Sequence, residues 1–307
     1  CSEIGKGSYG ICYAGLDVST GQKIAIKVDP KKTKSSSLLY EIKIYRQYLK
    51  RIDAHTPHIP ALFWAGTDPR MGHVMVMELM GPNLDKLFEY CHRKFTLKTI
   101  LMIAVQVVDI MESVHRLGLI HQDIKPENFL MGGAGSRAKR IHIIDFGLAK
   151  PFIDRRTDRH IEFQVGAGMT GTPRYCSVNA NRGYEQSRRD DMEAVAYMLA
   201  YFHLGSLPWQ GLRHRAGPGC RRVHKNQVIL AVKDSVSVRE LFEGLAPVFV
   251  DYLSASKQLA FTEKPDYSQW TDRFGQLLDE LDYKYDWDAF YGSDAGADQF
   301  LTHEVLV

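Results

Sequence analysis

Asp123, Lys125 and Asn128 stand close together in "HQDIKPENFLMG", and Asp145 follows 22 residues after Asp123 at the end of the apolar run "IHIIDFG". These residue types suit phosphoryl transfer. That reaction needs a carboxylate near the attacking hydroxyl, a cation on the group in flight, and oxygen ligands for magnesium. Asp123 can accept the hydroxyl proton. Lys125 can reach a γ-phosphate. Asn128 offers a neutral carbonyl oxygen, and Asp145 a carboxylate at a strand end. An account of the four as solvated loop charges has to produce the ordered set by chance.

Two further groups extend the pattern toward a nucleotide. Gly5-Lys6-Gly7-Ser8-Tyr9-Gly10 is a glycine-rich turn whose backbone amides can approach phosphates closely, since no Cβ intervenes. A dinucleotide fingerprint should open into a helix. This one opens into the strand-like "ICYAG". Lys27 ends "IAIK", 17 residues after Gly10, and Glu41 lies 14 further on. A lone strand lysine is ordinarily solvated. Paired with Glu41 it becomes a fixed positive charge for α- and β-phosphates.

The elements that must hold these residues can be read in outline. "QKIAIKVD" and "HVMVMELMGPNL" read as strands, the second ended by Gly81-Pro82. Between them, "SSSLLYEIKIYRQYLKRI" repeats apolar residues at Leu38, Ile42, Tyr45 and Leu49. That is a helical period, with Ser35 to Ser37 as candidate caps and Glu41 beside the buried face. "TLKTILMIAVQVVDIMESVHRLG" is apolar almost all round and predicts a central helix stopped at Gly118. "DDMEAVAYMLAYFHLG" predicts a second buried helix. "GGAGSRAK" and "RHRAGPGCRR" read as loops, and no internal repeat is visible.

Composition narrows the class. The 307 residues are 45% hydrophobic and 24% charged, with a net charge of +3, too mild to point to nucleic acid. Cys1, Cys12, Cys91, Cys176 and Cys220 form no CxxC pair, so neither a zinc site nor a disulfide framework is suggested, and a reducing compartment fits. No apolar run reaches membrane-spanning length and no signal peptide is visible. With Cys1 in first place the sequence reads as a fragment whose native start is missing. We expect a cytoplasmic or nuclear protein.

Taken together, the motifs resemble a eukaryotic protein kinase and, more narrowly, the casein kinase 1 family. "KPENFLMG", "IIDFGLAK", "GTPRYCSVN", "EQSRRDDME" and "YFHLGSLPWQGL" carry the likeness, with "MVMELMGPNLDKLFEYC" and "YKYDWDAFY". Ser177-Val178-Asn179 stands where most kinases have APE. The resemblance covers nearly the whole chain. It implies an α+β, two-lobed fold, with residues 1–80 as a β-rich lobe bearing one helix and 81–307 as a larger helical lobe. It implies ATP and Mg²⁺ as cofactors and serine or threonine of proteins as acceptors. Ile4, Cys12, Ala25 and Leu130 would sandwich adenine, with Met77 at the back and Glu78, Leu79 and Met80 as the hinge. Asn128 and Asp145 would hold the metal, Thr172 would help position the acceptor, and Asp191 would brace the catalytic loop. Substrates would carry acidic or phosphorylated residues before the acceptor, and the chain would act as a monomer without binding nucleic acid.

Three departures stand out. Gln122 replaces the arginine usual before the catalytic aspartate. Such an arginine awaits a phosphate on the activation segment; glutamine is neutral and can be met by backbone groups. Cys12 stands where an aliphatic residue usually roofs adenine, and a small buried cysteine packs as well. In the substrate anion site Arg174 remains, but Ala167 occupies the place of the usual lysine. The third basic position falls in the diverged "RHRAGPGCRRVHKNQ", where Arg213, Arg215, Arg221, Arg222 and Lys225 give a diffuse positive field. A pseudokinase scaffold is the rival reading. Retention of Lys27, Glu41, Asp123, Asn128 and Asp145 weighs against it. A small-molecule kinase is disfavoured by the long segment from Leu148 to Asn179.

Overall fold

A computed structural model describes residues 2–7, 10–30, 36–49, 58–133, 137–212, 225–279, 281 and 283–288. In chain order the strands β1 (Ser2–Gly7), β2 (Gly10–Leu16) and β3 (Lys23–Asp29) lead to helix α1 (Ser37–Gln47). Strands β4 (Leu62–Asp68) and β5 (Gly72–Glu78) and helices α2 (Leu84–Tyr90) and α3 (Leu97–Arg116) follow. Then come the short strands β6 (Leu119–Ile120), β7 (Phe129–Met131), β8 (Ile141–Ile143), β9 (Lys150–Pro151), β10 (Ile153–Asp154) and β11 (Arg159–His160). Helices α4 (Val178–Asn181), α5 (Arg188–Leu204), α6 (Lys225–Ser235), α7 (Val238–Leu241), α8 (Pro247–Gln258) and α9 (Tyr267–Leu278) complete the described chain.

The chain divides into two compact units. One holds Cys1–Leu87, Glu127–Ala149 and Trp287–Val307; the other holds Phe88–Pro126 and Lys150–Asp286. In the first, β1 to β5 form an antiparallel sheet of order β1-β2-β3-β5-β4. Directly opposed residues of an antiparallel pair share a face. Gly5, Cys12, Lys27 and Met75 therefore form one cross-strand row, and Ala14, Ala25 and Met77 the next. α1 is shorter than its apolar pattern: it ends at Gln47, although Leu49 is still buried. Ser36 is its N-cap, but the Ser36 hydroxyl donates to Asp29 Oδ2 at 2.5 Å instead of capping, which ties the helix to the end of β3.

The second unit is built on α3. Thr96 caps it by accepting from the Thr99 amide, and Gly118 follows its end with a left-handed φ of 78°. α3 packs on α5 and α9. Phe88, Phe95, Tyr201 and Phe202 join in a buried ring cluster with centroids 4.8 to 5.2 Å apart for the Phe88 contacts. Each such ring contributes roughly 1.5–3 kcal/mol by burial. α5 is buried nearly all round, as its sequence requires, and begins two residues earlier than its apolar run. No helix among the described residues is long and apolar enough to cross a membrane.

Candidate active site

Within the first unit the sheet delivers Lys27 to α1. Its Nζ lies 2.6 Å from Glu41 Oε2 and 3.2 Å from Asp145 Oδ1. Glu41 is 2% exposed, so its carboxylate has no water to fall back on, and its other oxygen accepts from the Phe146 amide at 3.2 Å. Burial alone would push the Lys27 ammonium down. The Glu41 and Asp145 carboxylates outweigh it and hold the ammonium well above its ordinary value. Lys27 is thus a permanent cation. Tyr45 meets Phe146 edge-on at 5.7 Å, and the Tyr40 hydroxyl donates to Ala149 O at 2.7 Å, so α1 is fastened to the segment that carries Asp145.

Asp145 has a left-handed backbone, φ 65° and ψ 69°, rare for a residue with a side chain. The Ile144 amide before it donates to Asn128 O at 3.0 Å, which brings Asn128 and Asp145 onto one short frame beside β7 and β8. These two offer a carboxylate and an amide oxygen. No group of three or more His, Cys, Asp or Glu that could hold a metal occurs among the described residues. A site with only one or two protein oxygens suits Mg²⁺, which keeps waters and takes its other ligands from phosphates. The donor set therefore fits that ion.

The positions expected around adenine fall as follows. Gly5, Cys12, Ala25 and Met77 share the Lys27 face of the sheet. Ile4 is the extra residue of a bulge between Glu3 and Gly5. Leu130 is in β7, opposite His142 and bridged to Asn83. The backbone of Lys6 and Gly7 pairs with Ile11 and Gly10; Ser8 and Tyr9 lie outside the described residues. Gly10 serves packing as much as any ligand: a Cβ there would lie 2.3 Å from Val28 O. Glu78 is ion-paired with Arg137, and after Leu79 and Met80 the chain is pinned by Gly81 N to Met131 O and Met131 N to Pro82 O. Burial pushes the Cys12 thiol up, so it is a protonated, weakly reactive group.

The second unit holds the catalytic-loop set. Asp123 is 4% exposed, and both its oxygens are engaged: Oδ1 by the Thr172 hydroxyl and Oδ2 by Lys125 Nζ, each at 2.7 Å. The carboxylate is fixed from two sides. Its backbone is set by Asp191 in the first turn of α5. Asp191 Oδ2 accepts the His121 amide at 2.7 Å, and Oδ1 accepts the Gln122 amide at 2.9 Å. His115 Nε2 lies 3.0 Å from the same carboxylate, and its Nδ1 meets the Tyr267 hydroxyl at 2.6 Å. Burial pushes the Asp191 carboxyl up, but its His115 partner and the amides outweigh that and hold it below the usual range.

Gln122 has a left-handed φ of 66°. Its side chain was expected to find backbone partners. Among the described residues its hydrogen bond runs instead from its main-chain amide to Asp191. Sequence reasoning missed Gly171. A Cβ there would lie 2.3 Å from Gln122 O, and its φ is 96°. Only glycine lets the backbone come this near, and Thr172 is the next residue. Its signal was present in "TGTP", beside the threonine already singled out.

Arg174 stacks over the Tyr175 and Tyr201 rings at 5.6 and 5.9 Å. Ala167 is exposed and Lys225 opens α6, while Arg213, Arg215, Arg221 and Arg222 lie outside the described residues.

A protein kinase domain family model matches residues 1–253. That is most of the 307 residues, and the chain belongs to the protein kinase domain family. Its fold is the two-lobed kinase fold, an antiparallel sheet lobe and a helical lobe. Membership implies a phosphoryl-transferring enzyme that uses ATP and takes proteins as substrates.

Proposed function

We propose that this chain is a serine/threonine protein kinase of casein kinase 1 type, acting on residues preceded by acidic or phosphorylated side chains. The observation that carries the reading is Asp123, held at 2.7 Å by both Lys125 and Thr172. Thr172 fixes the carboxylate rotamer, so one oxygen is aimed to orient the acceptor hydroxyl and take its proton. Lys125 neutralises charge that develops on the transferred group. Lys27, kept charged by Glu41, binds α- and β-phosphates. Asp145 and Asn128 would hold Mg²⁺, which supplies charge neutralisation on the β- and γ-oxygens when bound. Substrate choice rests on Arg174 and the basic residues of 213–225, a positive field more than a shaped phosphate pocket. Scattered cysteines without a CxxC pair fit a cytoplasmic or nuclear setting.

Transfer from radiolabelled ATP to matched serine peptides tests this, with phosphoserine, aspartate or alanine three residues upstream, at two salt concentrations. Label should appear on serine. The phosphoserine-to-aspartate gap in kcat/KM should be small, and the salt effect strong. Asp123→Asn should abolish transfer and keep ATP affinity. ATP binding without transfer by the wild type would mean a pseudokinase. A gap of about a hundredfold, roughly 2.7 kcal/mol, would mean an intact pocket built by Arg221, Arg222 or Lys225.

A further inference from the structure

Lys233, on α6, is 2% exposed and pairs with no carboxylate among the described residues. A buried cation without a counter-ion is costly. Its surroundings show what offsets that cost. Nζ donates to Pro173 O at 2.9 Å, Cys176 O at 2.6 Å and Asn181 Oδ1 at 2.8 Å. The faces of Tyr197 and Trp209 lie 5.0 and 5.2 Å away. An ammonium has three N–H donors, and three oxygens receive them.

Those oxygens belong to one stretch. The Tyr175 and Cys176 amides both donate to Thr172 O at 3.0 Å, which closes a turn over Thr172–Cys176. Lys233 clamps that turn at Pro173 and Cys176 and ties it to Asn181. Thr172, at the start of the turn, is the residue whose hydroxyl holds Asp123. Trp209 Nε1 to Arg174 O and the Val178 amide to Glu193 pin the same stretch, but neither reaches Pro173 or Cys176.

We propose that the charged form of Lys233 is a positioning element for the acceptor: it sets the Thr172–Cys176 turn and, through Thr172, the Asp123 carboxylate. A neutral amine has two N–H groups and a lone pair, so its loss of a proton turns the lone pair toward one of three carbonyl-type oxygens. The turn then loosens. This rests on the kinase reading and adds to it a pH-dependent control of acceptor binding.

Burial brings the Lys233 ammonium down to about 8. Burial pushes the Cys176 thiol up to about 11 and the Tyr197 phenol well above its usual value. On α5, Glu193 accepts from the Val178 amide and the Tyr197 hydroxyl, and Asp190 is raised by burial to about 6. On α6 itself, Asp234 is paired with Arg182 at 2.9 Å. Lys257, on α8, adds positive charge and lowers Lys233 further. The sign for stability is opposite to that for activity. With a folded value near 8 and an ordinary value of 10.5, the unfolded chain holds more protons between the two, so this group's contribution to stability rises with pH across that window. Loss of activity there is therefore separable from unfolding.

The experiment measures kcat/KM for an alanine-flanked serine peptide and ATP affinity from about pH 6.5 to about 9.5, with melting temperatures alongside. Wild type is compared with Lys233→Met, which keeps length and loses charge, and Lys233→Arg, which keeps charge. Wild-type kcat/KM for peptide should fall above about pH 8, with ATP affinity steady and no fall in melting temperature. Lys233→Met should be at least about tenfold slower at neutral pH and lack the alkaline limb. Lys233→Arg should recover part of the rate and hold it to the top of the range. A wild-type rate in Lys233→Met, or an unshifted limb in either variant, overturns the proposal. If Lys233→Met fails to fold, the limb of Lys233→Arg decides alone. A wild type without transfer at any pH overturns the kinase reading itself, and this proposal with it.

Discussion

Asp191→Asn probes the brace under the catalytic loop. The carboxylate is 2% exposed; it accepts two amides, at 2.7 and 2.9 Å, and faces His115 at 3.0 Å. Asparagine has one acceptor oxygen, and its amide nitrogen must face one of these donors. One charge-assisted bond, worth about 1.5–3 kcal/mol, is lost, and a buried N–H is left unmet at about 1–3 kcal/mol more. The sum is about 2.5–6 kcal/mol, centred on the range of about 3–5 kcal/mol for breaking a buried charged contact. The cost falls unevenly. Gln122 is held left-handed at φ 66°, a conformation that costs about 1–2 kcal/mol and that the Asp191 bond offsets. Released, Gln122 relaxes and turns Asp123, the next residue. We expect kcat/KM for a peptide to drop about a hundredfold. The melting temperature should fall by about 5–12 °C, at about 2 °C per kcal/mol for a chain of this size. ATP affinity should change little, since Lys27, Glu41 and Asp145 are untouched. Steady-state kinetics, thermal melts and ATP titration report the three. A melting temperature that falls while kcat/KM stays within about threefold of wild type would refute the positioning role. The acid side gives a second check. The Asp191 carboxyl is lowered, so its stabilisation is full above its ordinary value of 3.8 and is lost as pH falls through the folded value. Wild type and Asp191→Asn should converge in stability at the acid end.

Gly171→Ala should lower peptide kcat/KM at least about tenfold, because its Cβ would meet Gln122 O at 2.3 Å in a left-handed backbone; near-wild-type kinetics would show that the Gly171–Gln122 approach is not needed. Phosphatase-stripped protein, shown unmodified by mass spectrometry, should keep its activity. The activation segment is already tied by Lys150 to Glu185 at 2.7 Å, by the Glu185 amide to Gln164 O and by the Gly166 amide to Gly183 O. A large loss, restored by rephosphorylation between Leu148 and Tyr175, would show that Gln122 has not freed the enzyme from that step.

Local pattern carried much of the fold. The apolar repeat around Leu38, Ile42 and Tyr45 shows a helix with Glu41 beside its buried face, and alternation in "IAIK" shows the strand that bears Lys27. Distances between such elements are not in the pattern; the 2.6 Å contact depends on how α1 is tied to β3 through Ser36 and Asp29. Backbone states were the least legible. Nothing in "HQD" or "IIDFG" signals that Gln122 and Asp145 adopt left-handed conformations, because tertiary bonds impose them against the residues' own preference. Lys233 gave no signal at all. A lysine in a polar-looking "AVKDS" reads as solvated, and its three oxygen partners come from 52 to 60 residues away.

The thiols leave the described protein chemically quiet. Cys12, Cys91 and Cys176 all have raised pKa values, with burial the largest cause in each case, and the last two are pushed up to about 11. Alkylating reagents capture thiolates, so these three will label slowly near neutral pH. A cysteine introduced at an open position such as Val18, 95% exposed, will stand out against them once Cys1 and Cys220 are replaced. Cys12, Cys91 and Cys176 can then stay in place while dyes or spin labels are attached where distances between the two lobes are to be followed during turnover.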